Sequence, residues 1–162
     1  MRSIVCVLLA FLILTFAGQL PFEIHDAAEL NPIRTLQVEA SDRGFLLRGE
    51  NGQQGSGKTF DLAVENLKKT SSGVAFLQTA QKIILTGDTE LAVREVISDD
   101  TLRPASEIYT SAERLDLEMI TEYLAARSSD VTLSDLRSAV LEQRNVRLPR
   151  LILTGERVEL LA

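Results

Sequence analysis

The sequence holds one cysteine, one histidine and no tryptophan. A single cysteine excludes an intramolecular disulfide, and one Cys with one His cannot assemble a Cys/His zinc site within one chain. Basic residues are also short: Lys and Arg number 17 against 23 Asp and Glu, a net charge of −6. A pI near 4.9 argues against a nucleic-acid module, which normally shows a basic patch or stripe. No G-x-S-x-G elbow and no calcium-loop pattern is present. The only His, His25, sits beside Asp26 in a polar connector, where a surface histidine is expected and not the centre of a Ser/His/Asp triad. A length of 162 residues suits one domain and leaves no room for two ordinary enzyme domains. What is present in quantity is ordinary globular material, 45% hydrophobic and 25% charged, and not the profile of a disordered chain.

The one long apolar run lies at the start. Arg2 precedes an uncharged stretch that runs from Ile4 to Phe22. A charged n-region, an apolar h-region and closing small residues are the layout of a secretory signal. Thr15 and Ala17 fit the small-residue cleavage site; an uncleaved anchor extending through Leu20, Pro21 and Phe22 is the alternative. Cys6 lies inside the run as a small hydrophobe. Gln19 stands where a bacterial lipoprotein carries its acylated cysteine. The expected division is a signal peptide or membrane anchor over 1–22 and a single domain over 23–162, exported in either case.

Beyond the leader, apolar and polar residues alternate over 35–40, which reads as a strand. Turn residues Ser41-Asp42-Arg43-Gly44 and a second short run over 45–48 complete a hairpin. The glycine-rich segment 49–57 has no apolar residue and reads as a flexible loop that does not help build a core. Phe60, Val64 and Leu67 then recur at helical spacing after Thr59 as N-cap. Further expectations are a buried strand ending in Ile83-Ile84-Leu85, a short helix capped by Asp88 or Thr89, and a strand over 107–111. Leu117, Ile120, Tyr123 and Leu124 define a third helix. Thr132 with Asp135 forms a capping box that opens a fourth, with Leu133, Leu136 and Val140 inward. Residues 151–154 and 158–160 read as a closing hairpin. Strands and helices mix without strict alternation, so the expected class is α+β: one mixed sheet of about five to seven strands with three or four packed helices.

The sharpest motif is Gly52-Gln53-Gln54-Gly55-Ser56-Gly57-Lys58-Thr59, which fits the phosphate-loop pattern G-x-x-x-x-G-K-[ST]. In that pattern backbone N–H groups wrap phosphates, the Lys reaches the β/γ-phosphates and the hydroxyl holds Mg²⁺. The context weighs against it. The preceding strand carries Arg48 and Glu50, whereas a phosphate-loop strand is usually central and continuously apolar. The nearest acidic candidate for Mg²⁺, Asp88, follows a Thr-Gly turn, and Glu156 falls at a hairpin. The expected role is a solvated loop entering a capped helix. The Asp99-Asp100 pair reads as a solvated charge run, and Arg137, Arg144, Arg147 and Arg150 have one acid, Glu142, among them.

Residues 57–67, Gly-Lys-Thr-Phe-Asp-Leu-Ala-Val-Glu-Asn-Leu, resemble the G-K-T-hydrophobic-x-x-A-x-x-x-L signature of the N-terminal domain of spore germinant-receptor C subunits, the Ger(x)C lipoprotein family. The next segments follow in that family's order. Residues 76–90 resemble its segment of Phe, His-x-Lys, a hydrophobic strand and Gly-Glu, with Gln81 near the place of the His. Residues 98–109 resemble its R-D-x-x-x-R-P segment, keeping Arg103-Pro104, and Leu148-Pro149 resembles a later Leu-Pro. The likeness covers about residues 30–161, a free-standing version of that domain lacking the lipid-bearing Cys. It implies that the G-K-T opens a helix packed on the sheet and binds no nucleotide. It further implies a non-enzymatic, membrane-associated accessory role in germination through protein–protein contacts. The implied partners are membrane-embedded receptor subunits or other spore membrane proteins, the implied place is the outer face of the spore inner membrane, or secretion if the leader is cleaved, and no catalytic, cofactor-binding or metal residue is implied. The alternatives are a phosphate-loop nucleotide-binding protein and a generic secreted structural domain.

Overall fold

The computed structural model describes residues 30–71, 74–154 and 157–161; the leader expectation, His25 and the Gly155-Glu156 turn lie outside them. In chain order the elements are β1 (Leu30–Pro32), β2 (Thr35–Ser41), β3 (Gly44–Gly49), β4 (Gln54–Gly57), α1 (Phe60–Thr70) and β5 (Val74–Phe76). After a 3-10 turn at Leu77–Thr79 come β6 (Lys82–Gly87), α2 (Thr89–Ser98), β7 (Glu107–Ser111), α3 (Leu117–Ala125), α4 (Leu133–Leu141), β8 (Arg150–Thr154) and β9 (Arg157–Leu161). The class is α+β, built on one mixed seven-stranded sheet in the order β4-β3-β2-β6-β7-β8-β9. β1 and β5 form a separate two-stranded parallel piece that the sequence pattern did not suggest.

The four inner strands β2, β6, β7 and β8 run parallel, and an antiparallel hairpin closes each side. Parallel neighbours need crossovers; α2 supplies the one from β6 to β7, and α3 with α4 the one from β7 to β8. Both faces of the inner strands are therefore covered. Ile83, Leu85 and Ile108 join the larger core with Phe60, Leu67, Ala92, Val96, Leu133 and Leu136 of α1, α2 and α4. Ile84, Tyr109 and Leu151 point the other way and pack on Leu117, Ile120 and Leu124 of α3. This is why Ile83-Ile84-Leu85 reads as an unbroken apolar run. Each such side chain, moved fully out of water, contributes about 1.5–3 kcal/mol.

One expectation about burial needs correction, and one strand hides polar residues. In β2, Thr35 and Gln37 are fully buried with Leu36 and Val38. α3 covers that polar face: the Thr121 hydroxyl donates to Thr35 Oγ1 at 2.7 Å, and Arg48 donates to Gln37 Oε1 at 3.1 Å. In α4, Leu133 and Leu136 are buried as expected, but Val140 is 53% exposed and Ala139 takes its inward place. The Thr132–Asp135 capping box forms, so the helix start is right, and the mistake is one residue of rotational phase near the end of a nine-residue helix.

Candidate functional site

The phosphate-loop pattern is where the sequence most strongly suggested chemistry, and its geometry is now explicit. The expected loop over 49–57 is a hairpin. Gly52 N–H donates to the Gly49 carbonyl at 3.2 Å, and Gly49 N–H to the Gln53 carbonyl at 2.9 Å. Gly52 takes φ +81°, a left-handed conformation open to glycine at little cost, as in a three-residue hairpin loop ending in a glycine bulge. Glu50 sits in this turn with its side chain only 4% exposed. Its carboxylate accepts from the backbone N–H of Arg34 at 2.7 Å and of Thr35 at 2.9 Å, fixing the start of β2.

Gln54 to Gly57 then continue as β4, an edge strand laid antiparallel on β3 with Gly55 opposite Leu47 and Gly57 opposite Phe45. The Gly49–Gln53 bond sets the alternation, so Gly55 and Gly57 direct their peptide groups to β3, and Gln54 and Ser56 direct theirs outward. The outward carbonyls are taken by α1: Thr70 Oγ1 donates to Gln54 O at 2.5 Å and Asn66 Nδ2 to Ser56 O at 2.7 Å. These peptide groups extend along a ladder and do not wrap a common centre as a phosphate cradle requires.

The glycines have a packing role instead. A Cβ built on Gly55 would stand 2.2 Å from Leu67 N and 2.3 Å from Ala63 O; one on Gly57 would stand 2.5 Å from Ala63 N. α1 lies directly on the β4 backbone, and only glycine admits that approach. This corrects the expectation that the segment adds nothing to the core, since Ala63, Val64 and Leu67 are buried through it. Phe45 and Phe60 meet edge to face at 5.9 Å across the same junction. Thr59 Oγ1 accepts from Leu62 N–H at 3.3 Å as N-cap, so the hydroxyl of the motif serves the helix. Lys58 is exposed, beside a shallow cleft that also presents Arg43 and Glu39. Charges of both signs there give no focused field for an anion.

The strongest electrostatic cluster was not singled out from sequence. Glu107 and Lys82 begin β7 and β6 and are register partners. Lys82 Nζ lies 2.6 Å from Glu107 Oε2, with the two side chains 13% and 20% exposed. The same oxygen accepts from the Tyr109 hydroxyl at 2.5 Å and from Ser129 N–H at 3.0 Å, while Lys82 also donates to the Arg127 carbonyl at 2.9 Å. Burial pushes the Glu107 carboxyl up, but hydrogen bonds from Lys82, Tyr109 and Ser129 and the Lys82 charge outweigh it, and the group titrates below the usual carboxylate range. Burial, then the hydrogen bond to Glu107 and its charge, push the Tyr109 phenol well up. The cluster clamps the connector between α3 and α4 to the sheet. Glu107 and Tyr109 are two apart on a strand, a visible hint that they share a face; the Lys82 partner requires the parallel pairing, which no local pattern reveals.

The remaining candidates resolve into structural roles. Asp88 Oδ1 caps α2 by accepting from Leu91 N–H at 3.0 Å. Asp99 Oδ1 accepts from Thr101 N–H at 2.7 Å and Leu102 N–H at 3.1 Å. Arg137 donates to the Ile97 carbonyl at 2.9 Å and to the Asp99 carbonyl, closing the C-terminal end of α2. Among the described residues no group of three or more His, Cys, Asp or Glu is placed to hold a metal ion, and no helix is long and apolar enough to cross a membrane. Comparison with protein-family models, with characterised proteins and with solved structures finds no match.

Proposed function

We propose that this chain is a non-enzymatic, exported accessory domain of a spore germinant receptor, acting at the outer face of the spore inner membrane through protein–protein contacts. Support comes from the segment that carries the resemblance. Its Gly-Lys-Thr opens a helix seated on a glycine strand, with Gly55 and Gly57 against the α1 backbone and Thr59 as cap. That is the role the resemblance implies for it, and it accounts for the motif without a nucleotide. The other segments of the likeness border strands in the same order: Arg103-Pro104 leads into β7 and Leu148-Pro149 into β8. The apolar leader supplies export and, if retained, the membrane attachment.

The test is affinity purification of the tagged full chain from spore membranes, with mass spectrometry of what accompanies it, alongside germination of spores lacking the gene. Recovery with a transporter-like receptor subunit and slowed germination are expected. Recovery without any such subunit, in spores that germinate normally when the gene is deleted, overturns the proposal.

A further inference from the structure

The two edges of the seven-stranded sheet are treated differently. At β4 the outward carbonyls are taken by Thr70 and Asn66 of α1. β9 has no such cover among the described residues. Its alternation follows from its neighbours. Thr110 N–H donates to the Pro149 carbonyl at 2.9 Å, so Pro149, Leu151 and Leu153 direct their peptide groups toward β7, and Arg150, Ile152 and Thr154 toward β9. The register pairs those three with Leu161, Glu159 and Arg157. Val158 and Leu160 are therefore the residues whose N–H and C=O groups face outward. An exposed row of such groups is a template for a further strand.

We propose that β9 pairs antiparallel with β9 of a second copy of this chain, with Val158 opposite Val158 on the two-fold axis. Charge selects this occupant and this register. With Val158 on the axis, Arg157 of each copy stands directly opposite Glu159 of the other, in the non-hydrogen-bonded positions where side chains come closest. Sliding one strand by two residues puts Glu159 opposite Glu159, and like charges directly opposite are destabilising. The apolar face agrees. Val158 and Leu160 are only half-buried at the rim of the smaller core, beside Tyr123 and Leu153. Directly opposite residues share a face, so the axis brings this rim against its own image. The result is an isologous contact that joins two sheets edge to edge. It rests on strand alternation and charge, independently of the germination reading.

A contact through one short edge is weak in solution, so a covalent trap reads it best. The chain has one cysteine, Cys6, and Cys6→Ser gives a clean background. In the full-length chain, Val158→Cys, Glu159→Cys and Leu160→Cys are each oxidised mildly and scored for disulfide-linked dimer. Cα atoms about 5.5 Å apart at a hydrogen-bonded pair lie within disulfide reach. Expected is a several-fold excess of dimer for Val158→Cys over the other two. Adding Arg157→Glu or Glu159→Arg singly should cut that dimer several-fold, and the two together should restore it. All three side chains are exposed or half-buried, and a circular dichroism melt checks that each variant keeps the fold. A maximum at 159 or 160, no dimer at any position in folded protein, capture by a different protein instead, or indifference to charge reversal overturns the proposal.

Discussion

Replacing Gly55 by alanine tests the packing account of the phosphate-loop pattern most directly. The added methyl would sit 2.2 Å from Leu67 N and 2.3 Å from Ala63 O, both backbone atoms of α1. No rotamer change relieves this, so α1 must retreat by about 1 Å to restore ordinary contact. Overpacking of this kind costs about 1–3 kcal/mol. The retreat also opens gaps beside Phe60, Ala63, Val64 and Leu67, the buried face of α1, which adds cavity cost. The total expected is about 3 kcal/mol or more, against a domain stability of about 5–15 kcal/mol. In a domain of this size that lowers Tm by about 6–12 °C. Lys58→Ala, at an exposed position, should stay within about 0.5 kcal/mol of the parent. Urea or thermal unfolding followed by circular dichroism measures both. A fluorescent ATP analogue titrated into the parent and Lys58→Ala should show no Lys58-dependent binding. A Gly55→Ala chain as stable as the parent refutes the packing account, and micromolar binding lost on Lys58→Ala revives the phosphate loop.

Substitutions at four further positions probe the other assignments. Glu107→Gln should cost about 1–3 kcal/mol at neutral pH, because the hydrogen bonds from Lys82, Tyr109 and Ser129 lose the negative charge of their common acceptor. Since the folded carboxyl titrates below its usual range, its contribution is full above the unfolded value near 4.5 and is lost as pH falls through the folded value; denaturation curves of parent and variant should therefore converge on the acid side, and a constant gap down to pH 2 would contradict the clamp. Thr59→Ala should cost about 1 kcal/mol while Thr59→Ser costs much less, since only a side-chain oxygen is needed to cap α1; equal losses in the two melts would argue against capping. Val140→Ser should fall within about 0.5 kcal/mol of the parent because the side chain is 53% exposed, whereas Leu136→Ala, at 5% exposure, should cost about 2–5 kcal/mol. The reverse ranking would mean that α4 is rotated.

Much of the local structure was legible because its causes are local. Thr59, Thr132 and the Asp88-Thr89 pair, of which Asp88 is the cap, announced helix starts because capping is a contact over two or three residues. The strand over 107–111, the β2–β3 hairpin and the two closing strands were readable from period and flanking residues. Segment 49–57 was misread because glycine is ambiguous in sequence: the missing Cβ that makes a loop pliant also lets a helix lie on a strand, and only the helix decides which. The same holds for Lys82 and Glu107, 25 residues apart and brought together by parallel register.

By itself, then, the sequence determined the α+β class, the four helices, the strands of the main sheet other than β4, most helix starts, and the exclusion of an intramolecular disulfide and of a Cys/His zinc site within one chain, all consequences of residue type and short spacing. The tertiary structure decided the parallel centre, the two-sided burial that hides Thr35 and Gln37, the clamp at Glu107 and the outward alternation of Val158 and Leu160 on β9. Those depend on which strands become neighbours, and strand pairing is settled by long-range packing, which residue type and short spacing leave unspecified.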